Sequence, residues 1–406
     1  MLYQGFELYQ RSLRAWNPLF DIGRDMLSQS VGYYTDELTG KTFKALLEAG
    51  TDFTKNYGKP DFGISKIEVD QGKFHVKQTT VLAEPFCNLL HFKHRDSKKR
   101  PKVLLVAPLS GHHATLCKST VETLIPEHNL YVTDWLDAKH VPLSKGNFSF
   151  DDYVSYLIYF LEHLGSDTHV IAICQPAVQT LIATAILSAS NSPAVPTSMT
   201  LMAGPVDTRI NANKVNDFAV KYPRSWYANT LIHTVPLGYA GAGRRVYPGF
   251  LQLGSFMTMN LASHVGKFQN YFQHLLGGDM ESVEKHREFY DEYLSVLDLT
   301  EEFYMETMDK VFREHHLARG IITWNGAKVD LGAINKTALF TVEGEDDDIC
   351  AVGQTEAAQH LCHNLPDSMR RHHVQPEVGH FGVFSGSKFR ESIAPQIADF
   401  IKTAKK

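Results

Sequence analysis

The chain has 406 residues and a formal net charge of −5, with 40 Lys and Arg against 45 Asp and Glu. This length can bury a large core, either in one domain with a sizeable insertion or in two domains. The balanced charge shows no basic footprint for nucleic acid. The chain has no apolar run of about eighteen residues that would span a membrane, and its first residues do not resemble a signal peptide. The five cysteines are odd in number and show no C-x-x-C pair. They therefore favour a reducing compartment, and we expect a cytosolic protein.

The first 60 residues carry apolar and aromatic side chains at helical spacing, which predicts an N-terminal helical arm. The residues that set this spacing include Phe6, Tyr9, Leu13, Trp16, Leu19, Phe20, Phe43, Leu46 and Leu47. Such an arm either packs on the core of the chain or docks onto a hydrophobic surface or a second subunit.

Short alternating runs follow over residues 67–69, 74–81 and 88–92, and they predict antiparallel strands separated by polar turns. Beyond them strands and helices alternate, which predicts a doubly wound parallel sheet of the α/β class. We expect strands at 102–108, 130–134, 168–173, 198–203, 338–342 and 371–377, and helices at 150–164, 177–190, 355–361 and 388–402. The order of these elements is that of an α/β-hydrolase fold, with its core in residues 61–204 and 336–406.

Residues 205–335 interrupt the alternation with helical periodicity and no strand-like run, so we expect an all-helical cap over the active site. The first half of this segment mixes glycine with large apolar residues. Taken one at a time, each of these residues is expected to be an ordinary residue of the hydrophobic core. As a set, Tyr239, Tyr247, Phe250 and Phe256 would suit a cleft that binds an apolar substrate.

An apolar strand ends at Ile173, and a helix rich in Ala, Leu and Ile follows directly after Cys174. This is the pattern of a nucleophile elbow, whose usual signature is G-x-S-x-G. Here Cys174 stands in place of the serine, with Ala172 and Pro176 at the glycine positions. Proline is tolerated in the first turn of a helix. The alternative is a buried structural cysteine at the start of a core helix.

In this fold an acid and then a histidine follow the nucleophile along the chain. The strand after the cap ends in an acidic turn in which Asp347 is the best-placed carboxylate, ahead of Asp346 and Asp348. The alternative is a solvated acidic loop. His380 lies in the Gly-rich segment before the last helix, where it would act as the base, with Asp347 fixing its tautomer.

A tetrahedral intermediate also needs donors for its oxyanion. We expect the N–H of Gln175 and one N–H from the loop after strand 102–108, from either Leu109 or Ser110. His112 and His113 follow in this loop, and a wall-lining or capping role suits them better than a metal site, because no third ligand is suggested.

Five segments carry a specific resemblance. They are Ile-Cys-Gln-Pro-Ala-Val at Cys174, Ala-Pro-Leu-Ser-Gly-His before the first helix, Glu-Phe-Tyr-Asp-Glu-Tyr-Leu in the cap, Phe-Thr-Val-Glu-Gly-Glu before Asp347, and Gly-His-Phe-Gly-Val-Phe at His380. Together they resemble the bacterial intracellular polyhydroxybutyrate depolymerases over nearly the whole chain. The resemblance implies a cytoplasmic enzyme without a cofactor that acts on storage granules through a Cys-Asp-His triad, matched here by Cys174, Asp347 and His380.

The resemblance implies hydrolysis of poly(3-hydroxybutyrate) esters through a thioester on Cys174. Its partners would be the granule surface and hydroxybutyrate oligomers, with a homo-oligomer as an open possibility. One alternative is an acyltransferase of the polyhydroxyalkanoate synthase type, although synthases resembling this chain keep glycine on both sides of the cysteine. Another is a granule-coat protein with an inactive triad.

Overall fold

The structure is a computed structural model. It describes residues 2–10, 12–13, 42, 45–49, 51–52, 55, 57–69, 72–94, 98–259 and 261–404. Residues 2–10 are helical, as the sequence predicted for the arm. Trp16, Leu19, Phe20 and Phe43, which also carried that prediction, lie outside the described residues.

The strands of the described residues are numbered in chain order. They are β1 (Lys66–Val69), β2 (Gly72–Ala83), β3 (Cys87–His94), β4 (Lys102–Val106), β5 (Asn129–Trp135), β6 (Thr168–Ile173), β7 (Ser198–Met202), β8 (His233–Thr234), β9 (Arg245–Tyr247), β10 (Leu299–Thr300), β11 (Thr323–Trp324), β12 (Ala327–Lys328), β13 (Ala338–Gly344) and β14 (Arg370–Gln375).

Nine of these strands form one sheet in the order β1-β2-β3-β5-β4-β6-β7-β13-β14. At one end of the sheet, β1 pairs with β2, β2 with β3 and β3 with β5, and all three pairs are antiparallel. From β5 to β14 every pair is parallel. An antiparallel front followed by a parallel sheet, with a crossover that places β5 between β3 and β4, is the α/β-hydrolase arrangement, so the predicted fold class is confirmed.

The helices flank the sheet or fill the insertion between β7 and β13. Among the described residues after β1 they are Lys118–Leu124, Phe150–Leu164, Pro176–Ala189, Lys214–Lys221, Arg224–Thr230, Gly249–Met259, Leu261–Gly277, Met280–Tyr293, Glu301–Thr307, Ala357–Leu361, Gly386–Lys388 and Ala394–Thr403, with single π-helical turns at Met308–Arg313 and Phe389–Ile393. The helix Phe150–Leu164 shows why such segments are helical. Ser149 and Asp152 form a capping box at its start, and Gly165 with φ of 72° follows its end.

Both faces of the parallel sheet are buried, because each strand contributes side chains alternately to the two sides. In β4, Leu104 and Val106 pack into one hydrophobic cluster, while Val103 and Leu105 pack into the other. The helices Phe150–Leu164 and Pro176–Ala189 cover the first side of the sheet, and the last helix covers the second.

The insertion is mostly helical, but the expectation of an all-helical segment is wrong. A small antiparallel sheet in the order β10-β9-β8 and the separate hairpin β11-β12 lie within it. These strands have only two or three residues, which is too short to show an alternating pattern in the sequence.

The N-terminal segment, residues 2–10, packs against this insertion. The hydroxyl of Tyr3 donates a hydrogen bond to the buried carboxylate of Asp298. The ring of Phe6 stacks on Phe250, with ring centroids 3.8 Å apart. The segment also exposes apolar side chains, including Leu8 and Tyr9, so within its described residues one face packs on the chain and another faces outward.

None of the described helices is both long enough and apolar enough to cross a membrane.

Candidate active site

Cys174 lies at the turn between β6 and the elbow helix, Pro176–Ala189. Its φ is +65°, a left-handed conformation that is costly for a residue with a side chain. The turn is held because the N–H of Cys174 donates to the carbonyl of Met202 at 2.7 Å, and its own carbonyl accepts from the N–H of Ala177 at 3.1 Å. Such strain at a strand-to-helix turn is the mark of a nucleophile elbow, which presents its side chain above the sheet.

Small residues let the neighbouring chain approach this turn closely. A Cβ on Gly204, which follows β7, would lie 2.2 Å from the Cβ of Ala177 and 3.0 Å from the carbonyl oxygen of Cys174. Pro176 occupies the first turn of the elbow helix, as predicted, where no intrahelical N–H is needed. The space that a nucleophile elbow requires is therefore provided at Gly204 and Ala177 as well as at Ala172.

His380 begins a short 3-10 turn after β14 and is buried, with 6% of its surface exposed. Its Nδ1–H donates to Oδ2 of Asp347 at 2.8 Å, and the same imidazole interacts with the side chain of Cys174. Three residues far apart in the sequence, Cys174, His380 and Asp347, are thus brought together in a chain of contacts.

The electrostatics of His380 follow from this position. Burial by itself lowers the pKa of the imidazole, but the negative charges of Cys174 and Asp347, with hydrogen bonds to both, outweigh burial and raise its pKa well above the ordinary value. The site therefore favours the protonated imidazole of His380, and an imidazolium beside a cysteine is a charge that stabilises the thiolate.

Asp347 is fixed on its other side by the backbone. Its Oδ1 accepts hydrogen bonds from the N–H groups of Ile349 at 2.9 Å and Cys350 at 2.8 Å, while its side chain is wholly buried. These bonds leave Oδ2 for His380. The Asp347 carboxylate is thus buried against His380 and does not belong to a solvated loop.

Glu343 anchors the loop that follows Asp347. Its carboxylate, at the end of β13, accepts hydrogen bonds from the N–H groups of Gly353 at 2.8 Å, Thr355 at 2.7 Å and Glu356 at 3.0 Å. Glu343, Glu356 and His372 bring oxygen and nitrogen atoms within 4.8 Å of one another. Because three N–H groups already satisfy the Glu343 carboxylate, we assign this cluster a role in holding the loop.

A cavity of about 190 Å³ opens beside Cys174 and His380. This volume is below the roughly 300–1,000 Å³ of sites that hold drug-sized ligands, so it suits a short acyl group. Apolar side chains from both the core and the insertion form most of its wall, including Leu109, Leu116, Val215, Leu299, Phe303, Tyr304, Met308, Phe312 and Phe384.

The expected oxyanion donors are close to this cavity. Gln175, Leu109 and Ser110 all line it together with Cys174. The carbonyl of Ser110 accepts a hydrogen bond from the side-chain amide of Gln252. Gly111 has φ of 98°, and a Cβ on it would lie 2.5 Å from Gln252, so this loop needs glycine there.

His112 lines the cavity wall, and its neighbour His113 does not. The Nε2 of His112 pairs with the carbonyl oxygen of Tyr293 at 3.1 Å, and burial lowers its pKa to about 4, so the ring is neutral. Burial likewise lowers the pKa of His113 to about 4. The wall-lining role expected from the sequence fits His112.

Of the four predicted substrate-binding aromatics, the three whose side chains are described, Tyr239, Tyr247 and Phe250, do not line the cavity. The hydroxyl of Tyr239 donates to Glu7 at 2.7 Å, and Phe250 stacks on Phe6, so both contact the N-terminal segment. Tyr247 stacks behind Tyr304, with centroids 4.1 Å apart, and does not itself reach the cavity. The side chain of Phe256 lies outside the described part of the structure. The composition of this segment indicated that these side chains contact an apolar surface, but it did not indicate which surface.

Most of the insertion residues that reach the cavity come from its later half, although Pro205, Val215 and Gln252 also line it. Phe303, Tyr304, Thr307, Met308 and Phe312 line it from the helix Glu301–Thr307 and the π-helical turn that continues it. Their spacing of three to four residues was visible in the sequence as helical periodicity. The same periodicity is expected of a helix that faces the active site and of a helix that faces the core, so it could not distinguish the two.

The fold and this constellation define the chain as an α/β-hydrolase with a helix-rich insertion over a small apolar site. The family model described as "PHB de-polymerase C-terminus" matches residues 203–405, half of the chain. The chain belongs to this family, and it is an ester hydrolase of the polyhydroxybutyrate depolymerase kind. No curated protein matches it.

Solved structures with the same general architecture are distant in sequence. A candidate lipase of Acinetobacter baumannii AYE has 12% identity and a TM-score of 0.46, with 81% of this chain and 92% of that chain covered. The monoacylglycerol lipase of Paleococcus ferrophilus has 14% identity and a TM-score of 0.44, with 75% and 96% covered. A meta-cleavage product hydrolase of Pseudomonas fluorescens IP01 has 14% identity and a TM-score of 0.43, with 81% and 98% covered.

Proposed function

We propose that this protein hydrolyses the ester bonds of poly(3-hydroxybutyrate) through a cysteine acyl-enzyme, with Cys174 as nucleophile, His380 as acid and base, and Asp347 as the residue that orients the imidazole. One observation carries the proposal. His380 contacts both Asp347 and Cys174, and Cys174 lies on a strained elbow beside an apolar cavity.

Acylation begins with the thiolate of Cys174 attacking the ester carbonyl carbon. The negative charge moves to the carbonyl oxygen, where the N–H of Gln175 and that of Leu109 or Ser110 stabilise it. As the C–O bond breaks, the imidazolium of His380 gives its proton to the departing hydroxyl oxygen of the next polymer unit. The products of this half-reaction are a free hydroxyl end and a thioester on Cys174.

Deacylation uses the same residues, and His380 now acts first as a base. Neutral His380 removes a proton from a water molecule while the water oxygen attacks the thioester carbonyl. The bond to sulfur then breaks, which releases the carboxylic acid and restores the thiolate–imidazolium pair. Asp347 keeps Nδ1 protonated throughout, so that Nε2 is the atom that takes up and releases the proton.

We further propose the division of labour that the sequence suggested. In this scheme residues 61–204 and 336–406 are the catalytic core, residues 205–335 are the cap, and residues 1–60 form an arm on the cap. Contacts of Tyr3 with Asp298 and of Phe6 with Phe250 support the assignment of the arm. The polymer in this proposal is the amorphous granule in the cytoplasm.

A direct assay tests the proposal. Purified protein is incubated with native amorphous granules, and released 3-hydroxybutyrate and its oligomers are measured. In a parallel sample it receives 3-hydroxybutyryl coenzyme A alone. We expect soluble acid from granules and no polymer from the thioester. Polymer from the thioester would instead identify an acyltransferase of the synthase type. An absence of release from granules would favour the inactive coat-protein alternative.

A further inference from the structure

A second cavity lies at the same edge of the sheet as the active site. Its volume is about 470 Å³, against about 190 Å³ for the cavity beside Cys174, and it falls within the roughly 300–1,000 Å³ of sites that hold small ligands. The turn between β2 and β3, the loop after β4 and the loop after β5 all contribute to its wall. In α/β sheets ligands bind outside the carboxyl ends of the parallel strands, so the second cavity has the position of a binding site.

The second cavity is a neighbour of the first. His112 lines the active-site cavity, and His113, the next residue, lines the second cavity. His112 forms a β-bridge with Val296, which also lines the second cavity, and the N–H of Leu297 donates to the carbonyl of Gly111 at 2.8 Å. These two backbone segments lie between the cavities, so a molecule released in the active site starts close to the second cavity.

The loop after β5 is held in place by a buried cation. Arg244 is 3% exposed, and its guanidinium donates to the carbonyls of Val141 at 3.1 Å, Pro142 at 3.0 Å and Gly146 at 2.9 Å. Val141 and Pro142 both line the second cavity. Because this part of the wall is already fixed, a ligand that binds there loses little free energy in ordering it.

The wall carries three ammonium groups. Lys139 forms an ion pair with Asp137 at 2.9 Å, and Lys59 pairs with the buried carboxylate of Asp134. Each ammonium has three N–H groups, so one carboxylate contact leaves donors for a ligand, while Asp137 itself is taken up by Lys139 and by backbone N–H groups. Lys145 is exposed and has no carboxylate partner within the part of the chain that the structure describes.

His113 adds an imidazole to these groups. The charges of Asp137, Lys59 and Lys139 all act on its ring, so the four side chains surround one space. Its Nδ1 is enclosed in the protein, which leaves Nε2 as the ring nitrogen that can meet a ligand. Burial lowers the pKa of His113 to about 4, and a neutral imidazole can donate or accept one hydrogen bond at this nitrogen.

A short oligomer of 3-hydroxybutyrate has the complementary chemistry. Its ester groups offer oxygen acceptors, its methyl groups are apolar, and hydrolysis leaves one carboxylate at its end. The ammonium groups can bind the ester oxygens and the carboxylate, and Leu136, Val141 and Val296 supply apolar contact. The wall itself carries the carboxylates of Glu84 and Asp137 against three ammonium groups, a balance that favours a ligand with one negative charge.

We propose that the second cavity is a non-catalytic binding site for short 3-hydroxybutyrate oligomers released in the active site, with the free carboxylate of the oligomer at Lys145 and an ester oxygen at His113. The identity of the ligand rests on the proposed function. The site lies apart from Cys174, so a bound oligomer leaves the nucleophile accessible to the next ester.

Calorimetry tests the site without any turnover. The ligand is the 3-hydroxybutyrate trimer, as the free acid and as its methyl ester, and the protein is Cys174→Ala, alone and combined with Lys145→Gln or His113→Phe. We expect Lys145→Gln to weaken binding of the acid by about 3- to 10-fold and to leave binding of the methyl ester unchanged. His113→Phe keeps a ring of similar size, and neither nitrogen of His113 bonds to another described residue, so we expect it to fold and to weaken both ligands by about 3- to 10-fold.

Lys77 supplies a matched control. It is an exposed lysine on β2 that does not line the second cavity, and Lys77→Gln should leave both affinities unchanged. Absence of trimer binding to Cys174→Ala would overturn the proposal, as would binding that neither Lys145→Gln nor His113→Phe weakens, because the trimer would then lie elsewhere. An equal loss in Lys77→Gln would reduce the effect to general charge attraction and would also overturn it. Because Cys174→Ala needs no activity for this measurement, trimer binding together with a failed granule assay on wild type would refute the proposed function and not the site.

Discussion

Cys174 differs from the other four cysteines in exposure. Cys87, Cys117, Cys350 and Cys362 are buried, whereas Cys174 is partly exposed beside the cavity. Burial is the main cause that raises the pKa of each of the four buried thiols, to about 12 in Cys362. The thiolate is the reactive form. The four buried cysteines are therefore protected from alkylation, because a reagent cannot reach them and because their thiols stay protonated.

We therefore expect iodoacetamide at neutral pH to alkylate Cys174 before any other cysteine in the folded protein. Peptide mapping after short labelling times measures the order, and labelling in denaturant provides the control in which all five thiols react. Preferential labelling of Cys350, the buried cysteine that also lines the cavity, would contradict the assignment of the nucleophile.

Asp347 can be tested with a change that preserves shape. Asp347→Asn keeps the volume of the side chain but can present an N–H to His380, which favours the wrong imidazole tautomer. We expect kcat on granules to fall by about 10⁴-fold, and Cys174→Ala to abolish activity, with melting temperatures near wild type. Asp346→Asn, one residue earlier, serves as the control and should retain activity. Wild-type rates in Cys174→Ala would refute the whole mechanism.

At the residue scale the sequence located the proposed triad because each member stands at a local signal. Cys174 joins an apolar strand to an Ala-rich helix, Asp347 follows a buried strand, and His380 lies between glycines.

At the scale of elements, the elbow depends on how closely β7 and its following loop approach the helix Pro176–Ala189. Gly204→Ala would place a methyl group 2.2 Å from the Cβ of Ala177. We expect the free energy of unfolding to fall by about 1–3 kcal/mol, and kcat to fall as well because the turn at Cys174 must shift. Chemical denaturation and the granule assay measure the two effects.

Gly254→Ala is the control for that change. Gly254 lies exposed in the helix Gly249–Met259, and a Cβ there would meet nothing within 4 Å. Alanine is the better helix former, so this variant should be more stable than wild type by up to about 1 kcal/mol. Equal effects of the two substitutions would show that the close approach at Gly204 does not constrain the elbow.

At the scale of the whole molecule, Asp298 links the insertion to the N-terminal segment. It is 3% exposed, accepts from the Tyr3 hydroxyl and from the N–H of Gly249 at 2.9 Å, and lies near Asp137. Burial first, and then the charge of Asp137, raise the pKa of Asp298 from 3.8 to about 7. The folded protein therefore holds this proton at pH values where the unfolded chain has lost it.

The sign of the pH dependence follows from that difference. Between about pH 4 and pH 7 the folded state binds more protons at this site than the unfolded state, so its contribution to stability falls as the pH rises. In Asp298→Asn this contribution is absent. We expect the free energy of unfolding of the variant minus that of wild type to increase from pH 5 to pH 8.

Urea denaturation at both pH values measures the change, and Asp367→Asn, whose side chain is fully exposed, provides the control with no such trend. A relative stability of Asp298→Asn that does not vary with pH would refute a protonated Asp298 in the folded protein.

The sequence by itself determined the α/β-hydrolase class and indicated the proposed triad of Cys174, Asp347 and His380, because strand and helix periods and the turns between them are local properties. The tertiary structure decided what surrounds them. Tyr239 and Phe250 contact the N-terminal segment, and the helix that begins at Glu301 supplies part of the cavity wall. Tyr3 and Asp298 bond across 295 positions of sequence. Such contacts depend on how segments distant in the chain pack together, and no local pattern contains that information.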